Sequence, residues 1–268
     1  MIYEFFSFYN EYDMLELKLQ EHAQHVDRFV ITESNRTYNQ IDKPYRLEQQ
    51  WDRYRTWHDK IHYLKFDATG LEMGWPTEHA QREHGPRSVA LEPTDIMVIS
   101  DLDEFLRDED WLWLDKNIGN CKREILFEME CYWCFADVQH ARKQQALAVT
   151  QRRKYINSTL HRRPMKILAD HANPMSDTTV QPGGIHLTWM GDEQRFREKL
   201  LGSIEGYNWT QGKSADEMWS QKQRNQLFSW KPKFKTKNTK MVDVRTNNSF
   251  SVTMREYMLK HPEWLFNK

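Results

Sequence analysis

Asp101 and Asp103 stand two residues apart just past an apolar run, Ile96-Met97-Val98-Ile99, and Glu104 and Asp108 follow closely. The run reads as a short buried strand that ends abruptly in acid. In open α/β sheets ligands bind outside the carboxyl ends of the strands. An Asp-x-Asp placed there can offer two carboxylates to one hard divalent cation, which keeps open positions for substrate phosphates. That chemistry suits a nucleoside diphosphate bound through a metal. The plainer reading is an acidic turn at a helix N-terminus, where carboxylates meet the helix dipole. So short a pattern recurs by chance, and its surroundings must decide.

The elements that would position the pair alternate. Residues 2–8 form a strand candidate rich in aromatics. Asn10 or Asp13 can cap a helix running to about His22, with Met14, Leu15, Leu17 and Leu19 on its apolar face. Asp27 to Glu33 is a second strand, again ending in an acid. Strand, helix and strand in about 32 residues make a βαβ unit and argue for a parallel sheet. A loop from Ser34 to Tyr45, a helix from Leu47 to His58 and a strand from Ile61 to Phe66 come next. A helix near Thr77 to Arg82 follows, with Gly85-Pro86 weighing against its continuation. The first 100 residues thus read as doubly wound α/β.

After Asp103 the texture changes. Trp111 to Asn117 reads as a short helix, Glu124 to Val138 as a long strand, and Ala146 to Ile156 as its antiparallel neighbour. His161 to Pro182 reads as a loop carrying Arg162, Arg163, Lys166 and His171. Gly183 to Trp189 is a short strand entered through two glycines, and Asp192 or Glu193 begins a helix to about Ile204. From Lys222 to Arg245 eight Lys or Arg face a single acid, Asp243, in a stretch whose Pro232 argues against a regular helix. Trp264 and Phe266 are placed to dock the last residues back onto the body.

Composition narrows the partners. The 268 residues are 39% hydrophobic and 29% charged with a net charge of −1, which describes one large globular domain or a domain with an appendage. Bulk charge therefore names no partner. The 13% aromatic content, including 11 Trp, suits stacking on sugars or bases, although most such residues fill cores. Cys131 and Cys134 lack the second pair of a zinc site, and with Cys121 they read as reduced structural thiols. No segment approaches 18 uninterrupted apolar residues and no basic leader precedes Ile2, so neither a membrane span nor a signal peptide is expected.

Several segments, in order, resemble glycosyltransferase family 17, the inverting β-1,4-N-acetylglucosaminyltransferase-like enzymes. Phe8-Tyr9-Asn10-Glu11-Tyr12-Asp13-Met14-Leu15-Glu16-Leu17-Lys18-Leu19 is similar to that family's opening. Val26 to Tyr38 with Lys43-Pro44, then Gln81-Arg82, then Asp95 to Glu104 continue the likeness. Gly183-Gly184-Ile185-His186-Leu187-Thr188-Trp189-Met190-Gly191 with Lys199-Leu200 completes it, over roughly residues 3–205. Phe105-Leu106 stands where the family often has Ile-Pro, and Glu83 where it usually has Asn.

The resemblance implies an α/β fold of GT-A type: a Rossmann-like, mostly parallel sheet with helices on both faces and a smaller antiparallel acceptor-side region. Residues 1–105 would bind the nucleotide-sugar, 106–205 would complete the metal and acceptor side, and 206–268 would form a basic, helical appendage of the same domain. The implied partners are a UDP-sugar donor, UDP-GlcNAc by expectation, Mn²⁺ or Mg²⁺, and a carbohydrate or glycoconjugate acceptor, without nucleic acid. Lacking an anchor, the chain is expected to be a cytoplasmic, bacterial or viral-type form.

On that reading Asp103 ligates the metal, Asp101 reaches the metal or the ribose, and His186 adds a further ligand. Glu33, Ser34 and Arg36 line the nucleotide pocket, and Arg82 meets a sugar hydroxyl or phosphate. Arg162, Arg163 and Lys231 to Lys240 close over the diphosphate. Inversion needs a base for the acceptor hydroxyl, and Asp192, Glu193 and Asp137 stay open as candidates. A haloacid-dehalogenase-like phosphohydrolase also ends a strand in Asp-x-Asp, but Glu104-Phe105 fits that pattern poorly. A nucleic-acid binder using Lys222 to Arg245 would show steep salt dependence, and the neutral whole-chain charge disfavours it.

Overall fold

The computed structural model describes residues 1–155, 178–203, 214–223 and 239–266. Strands β1 (Ile2–Phe8), β2 (Arg28–Ser34), β3 (Ile61–Phe66), β4 (Ile96–Ile99), β5 (Glu104–Phe105), β6 (Glu124–Trp133), β7 (Val138–Gln151), β8 (Thr178–Thr188) and β9 (Thr239–Met241) form one sheet. Its order is β3-β2-β1-β4-β7-β6-β8-β5, with β9 beside β7. The helices are α1 (Tyr12–His22), α2 (Trp75–Ser88), α3 (Asp108–Asn117), α4 (Glu193–Gly202), α5 (Ala215–Gln223) and α6 (Val252–Lys260).

β1 to β4 pair in parallel, with a crossover connection between each successive pair. β7 runs antiparallel to both β4 and β6, and β8 lies parallel to β6. β6 and β8 therefore point the same way as β1 to β4, and the carboxyl ends of six strands face one edge.

Alternation along β1 puts helices on both faces. Phe6 and Phe8 join Leu15 and Leu17 of α1, whereas Phe5 joins Val30 and Met97 on the other side. α2 presses onto that second face at Gly85, where a Cβ would come within 3.3 Å of the Phe5 ring and 3.1 Å of Thr32 Oγ1. This close packing explains why α2 runs through Gly85-Pro86 to Ser88 rather than stopping near Arg82. A proline in the last turn removes few bonds.

Other boundaries shift for local reasons. α1 is capped by neither Asn10 nor Asp13; Glu11 is its N-cap residue, and its carboxylate accepts the Tyr9 and Asn10 N–H groups at 3.0 and 3.1 Å. Leu47–Trp57 winds as a 3-10 helix kinked at Gln50. α3 begins at Asp108 because Asp110 accepts the Arg107 N–H at 2.9 Å, closing a capping box. β7 starts at Val138, not Ala146. Residues 178–182, expected in a loop, are strand, paired with Glu124 to Glu128. No residue from Thr178 to Pro182 is buried, so the segment carries no apolar alternation to read. Trp264 is buried, its carbonyl accepts the Ala136 N–H at 2.7 Å, and Phe266 packs on Phe135, so the last residues do dock back. All three cysteines are buried, and none forms a disulfide. Among the described residues no helix is long and apolar enough to cross a membrane.

Candidate active site

A cleft of about 350 Å³ opens at the shared carboxyl edge. Ser7 and Tyr9 contribute to it at the end of β1, Ser34 and Arg36 after β2, Asp101 and Asp103 after β4, Trp133 from β6, and His186, Thr188 and Trp189 from β8.

The acidic turn is tied closed by its own groups. The Glu104 carboxylate accepts the Asp101 N–H at 2.8 Å, and the Asp101 carbonyl accepts the Glu104 N–H at 3.1 Å. Beneath it lies Lys18, fully buried on α1. Its ammonium donates to the Asp101 carbonyl at 3.2 Å and to the Glu104 carbonyl, and pairs with Glu4 at 2.9 Å. Glu4 in turn holds His22 Nδ1 at 2.8 Å, and the Leu106 N–H donates to His22 Nε2 at 3.1 Å. With Nε2 an acceptor, His22 must be the neutral Nδ1–H tautomer, in keeping with burial, which lowers its pKa. None of Glu4, Lys18 or His22 was singled out from sequence. The available signal was Lys18 and His22 four residues apart on the inward face of a helix, in line with Met14.

β5 is two residues long, yet it sets the site. It pairs with β8 so that Glu104 lies opposite His186, and the Leu187 N–H reaches the Asp103 carbonyl at 2.8 Å. Gly184 permits this approach: at φ +77° a side chain would be strained, and its Cβ would stand 2.8 Å from the Phe105 carbonyl oxygen. His186 Nε2 consequently sits 3.3 Å from Asp103 Oδ1, while Lys199 Nζ from α4 sits 3.5 Å from Oδ2. Burial pushes the Asp103 carboxyl up, but Lys199 and His186 outweigh it and hold the group at about 2. Burial alone would lower His186; the Asp103 carboxylate raises it well above the usual imidazole range.

The donor set fits a divalent cation in part. Two ligands at right angles on one ion with bonds of about 2.1 Å stand about 3 Å apart, close to the Asp103–His186 separation. Carboxylate with imidazole suits Mn²⁺. Asp101 is drawn aside: Arg82 Nη2 holds its Oδ1 at 3.0 Å, while Nη1 of the same guanidinium pairs with Glu78. Among the described residues, three potential ligands come within 4.8 Å of one another only at Asp13, His261 and Glu263. There Arg53 already neutralises Asp13 at 2.6 Å.

The family model described as Glycosyltransferase family 17 matches residues 1–174, well over half of the sequence. The chain belongs to glycosyltransferase family 17. As a family-17 glycosyltransferase it has the α/β, GT-A-type architecture, with the acidic pair at the carboxyl edge. Comparison with curated proteins gives no match. Similar solved structures include 4-diphosphocytidyl-2C-methyl-D-erythritol synthase from Anaerococcus prevotii, at 12% identity and TM-score 0.40 over 68% of this chain and 89% of that one. The galactosyltransferase LgtC, solved with donor and acceptor sugar analogs, gives 11% identity and TM-score 0.36 over 57% of this chain. The family-17 chain spans 58% of that LgtC chain.

In this family-17 protein several expected site residues fall elsewhere. Glu33 does not line the cleft. It is wholly buried, and its two oxygens accept from Lys43 Nζ at 2.8 Å, Tyr63 Oη at 2.8 Å, and the Arg46 and Leu47 N–H groups at 2.7 and 3.0 Å. Every acceptor direction is used to fold the loop after β2. Ser34 and Arg36 do line the cleft, with Arg36 steadied by Asp42 at 2.7 Å.

The three candidate bases are spoken for. Asp192 is the N-cap of α4, accepting the Arg195 N–H at 2.9 Å, and Glu193 pairs with Arg197 on the surface. Asp137 is buried and accepts the Phe266 N–H at 2.8 Å. None of them borders the cleft. Arg162, Arg163, Lys166, His171 and Lys231 to Lys237 lie outside the described residues, and Lys240 is exposed on β9. Asp137→Ala is therefore expected to cost about 1 kcal/mol of stability by removing the acceptor of the half-buried Phe266 N–H. Denaturant melts should show that loss while kcat/KM per folded molecule stays within twofold (roughly the noise of a stability-only change).

Proposed function

We propose that this glycosyltransferase moves a sugar from a UDP-sugar, with UDP-GlcNAc the expected donor, to a hydroxyl of a carbohydrate or glycoconjugate acceptor, with inversion and with Mn²⁺ or Mg²⁺. The observation that carries the metal dependence is the Asp103–His186 pair, two ligand atoms 3.3 Å apart at the floor of a cleft built from strand ends. Asp103 and His186 would hold the ion, with Asp101 added if it leaves Arg82. The ion would supply charge stabilisation to the departing diphosphate.

The chain's own residues divide the rest. Ser34 and Arg36, after β2, face the nucleotide; Arg82 orients Asp101 and offers a guanidinium to phosphate or sugar hydroxyl. Trp133 and Trp189 at the opposite wall give faces on which a sugar can stack. Because Asp192, Glu193 and Asp137 stand off the cleft, the base for the acceptor hydroxyl is proposed among the carboxylates that line it.

A thermal-shift panel of UDP-, GDP- and CMP-sugars, each with and without Mn²⁺, tests the donor. A ligand that binds only the native state raises the melting temperature; saturation at about 100 times Kd adds about 2.7 kcal/mol. The expected result is a Mn²⁺-dependent rise with UDP-GlcNAc and not with the GDP- or CMP-sugars. A rise with GDP-sugars alone would overturn the donor assignment. Hydrolysis of phosphate esters without any acceptor would favour the phosphohydrolase reading instead.

A further inference from the structure

Two nitrogen-bearing side chains meet Asp103, and they arrive differently. His186 is fixed in the sheet by β5 and β8. Lys199 reaches in from α4 on a flexible stem, and its ammonium lies over the Trp189 ring, 5.5 Å from the centroid. Its contact with Asp103 Oδ2 is long, at 3.5 Å, and both side chains border the open cleft. At 3.5 Å the contact is at the long end of a direct ion pair, and a four-carbon stem carrying a compact ammonium swings readily. A divalent ion held by Asp103 and His186 would sit beside the Lys199 ammonium, and like charges at such close range repel strongly.

We infer that Lys199 is a placeholder cation. It neutralises Asp103 before a divalent ion binds, leaves that carboxylate when one does, and then pairs with the diphosphate of the donor. The inference rests on the proposed function and deepens it. Asp103 loses one cation and gains another, so the buried carboxylate is never left alone. The freed ammonium stays within the sweep of its stem from anything bound beside Asp103, and phosphate is the partner that suits a mobile point charge. The consequence is synergy. A divalent ion alone must evict Lys199 with no new partner for it, whereas an ion with a diphosphate supplies one. If Lys199 served only to tether α4, its removal would weaken folding and leave this coupling unchanged.

Titration calorimetry of MnCl2 and of UDP on wild type, Lys199→Met and Lys199→Arg decides between these roles. Met keeps the stem length and its packing on Trp189. Lys199→Met should bind Mn²⁺ alone about tenfold more tightly than wild type, and bind UDP at saturating Mn²⁺ about tenfold more weakly. Lys199→Arg should keep the wild-type Mn²⁺ affinity. Equal Mn²⁺ affinity in wild type and Lys199→Met, with UDP binding intact, overturns the inference while sparing the proposed function. A wild type that binds Mn²⁺ but no UDP overturns the proposed function and the diphosphate role with it; the Mn²⁺ comparison then still decides the placeholder role. Should Lys199→Met melt early, Lys199→Gln serves in the same comparison with the same two outcomes.

Discussion

Asp103→Asn is expected to lower Mn²⁺-dependent transfer by on the order of 10³-fold and to abolish the Mn²⁺-dependent thermal shift. The side chain keeps its volume and loses its charge. The carboxylate it replaces is held at about 2 by Lys199 and His186, so it is an anion throughout the range in which the protein can be assayed. An amide oxygen is a poor substitute ligand for a hard cation, and His186 alone is a single neutral donor. Asp101→Asn should cost less, because Asp101 is turned toward Arg82 at 3.0 Å rather than toward His186. Steady-state kinetics over a Mn²⁺ series separates the two. Equal losses for both variants would mean that the carboxylates act as one unit, with Arg82 no longer holding Asp101 aside. Full metal-dependent turnover by Asp103→Asn would sink the site assignment.

The acidic pair was legible because a sharp change from apolar to acid marks a strand end, and β1 to β4 were legible because each carries its own period. The same signal misled at Glu33. It too ends a strand in acid, but its partners are N–H groups of Arg46 and Leu47 that a chain reversal brings back, and no local pattern announces them. His186 stood out only through the family resemblance, since the two-residue β5 that sets its register against Glu104 is too short to show periodicity. Asp192 and Glu193 were correctly seen as a helix start, and capping and pairing on α4 is what they do. Lys18 and Glu4 were readable and passed over. Glu4 shares a face of β1 with Phe6 and Phe8, and opposite charges at two core positions predict a pair.

That pair carries the second large effect. Lys18→Met is expected to destabilise the fold by about 3 kcal/mol, because it takes the ammonium partner from the wholly buried Glu4 carboxylate and leaves it only the His22 and Ser100 donors. It should also loosen the turn whose carbonyls Lys18 caps, lowering Mn²⁺ affinity by about 10–100-fold. Pairing Lys18→Met with Glu4→Gln removes both charges and should recover a large part of the stability, since neighbouring sites couple. The Mn²⁺ defect should persist, because the Asp101 and Glu104 carbonyls still lack their donor. Acid separates the two variants further. Burial pushes the Glu4 carboxyl up, but His22 and Lys18 bring it from its ordinary 4.5 to about 2. A carboxyl so lowered stabilises the fold fully above pH 4.5, and that contribution fades as pH falls toward 2. His22, lowered from 6.5 by burial, acts in the same direction, because the unfolded chain takes up its proton first as pH drops below 6.5. Wild type should therefore lose stability steadily on acidification from pH 6.5, and the double variant should lose distinctly less below pH 4.5. Parallel curves for the two, measured by urea denaturation across that range, would mean that Glu4 is not the anion on which the acidic turn is built.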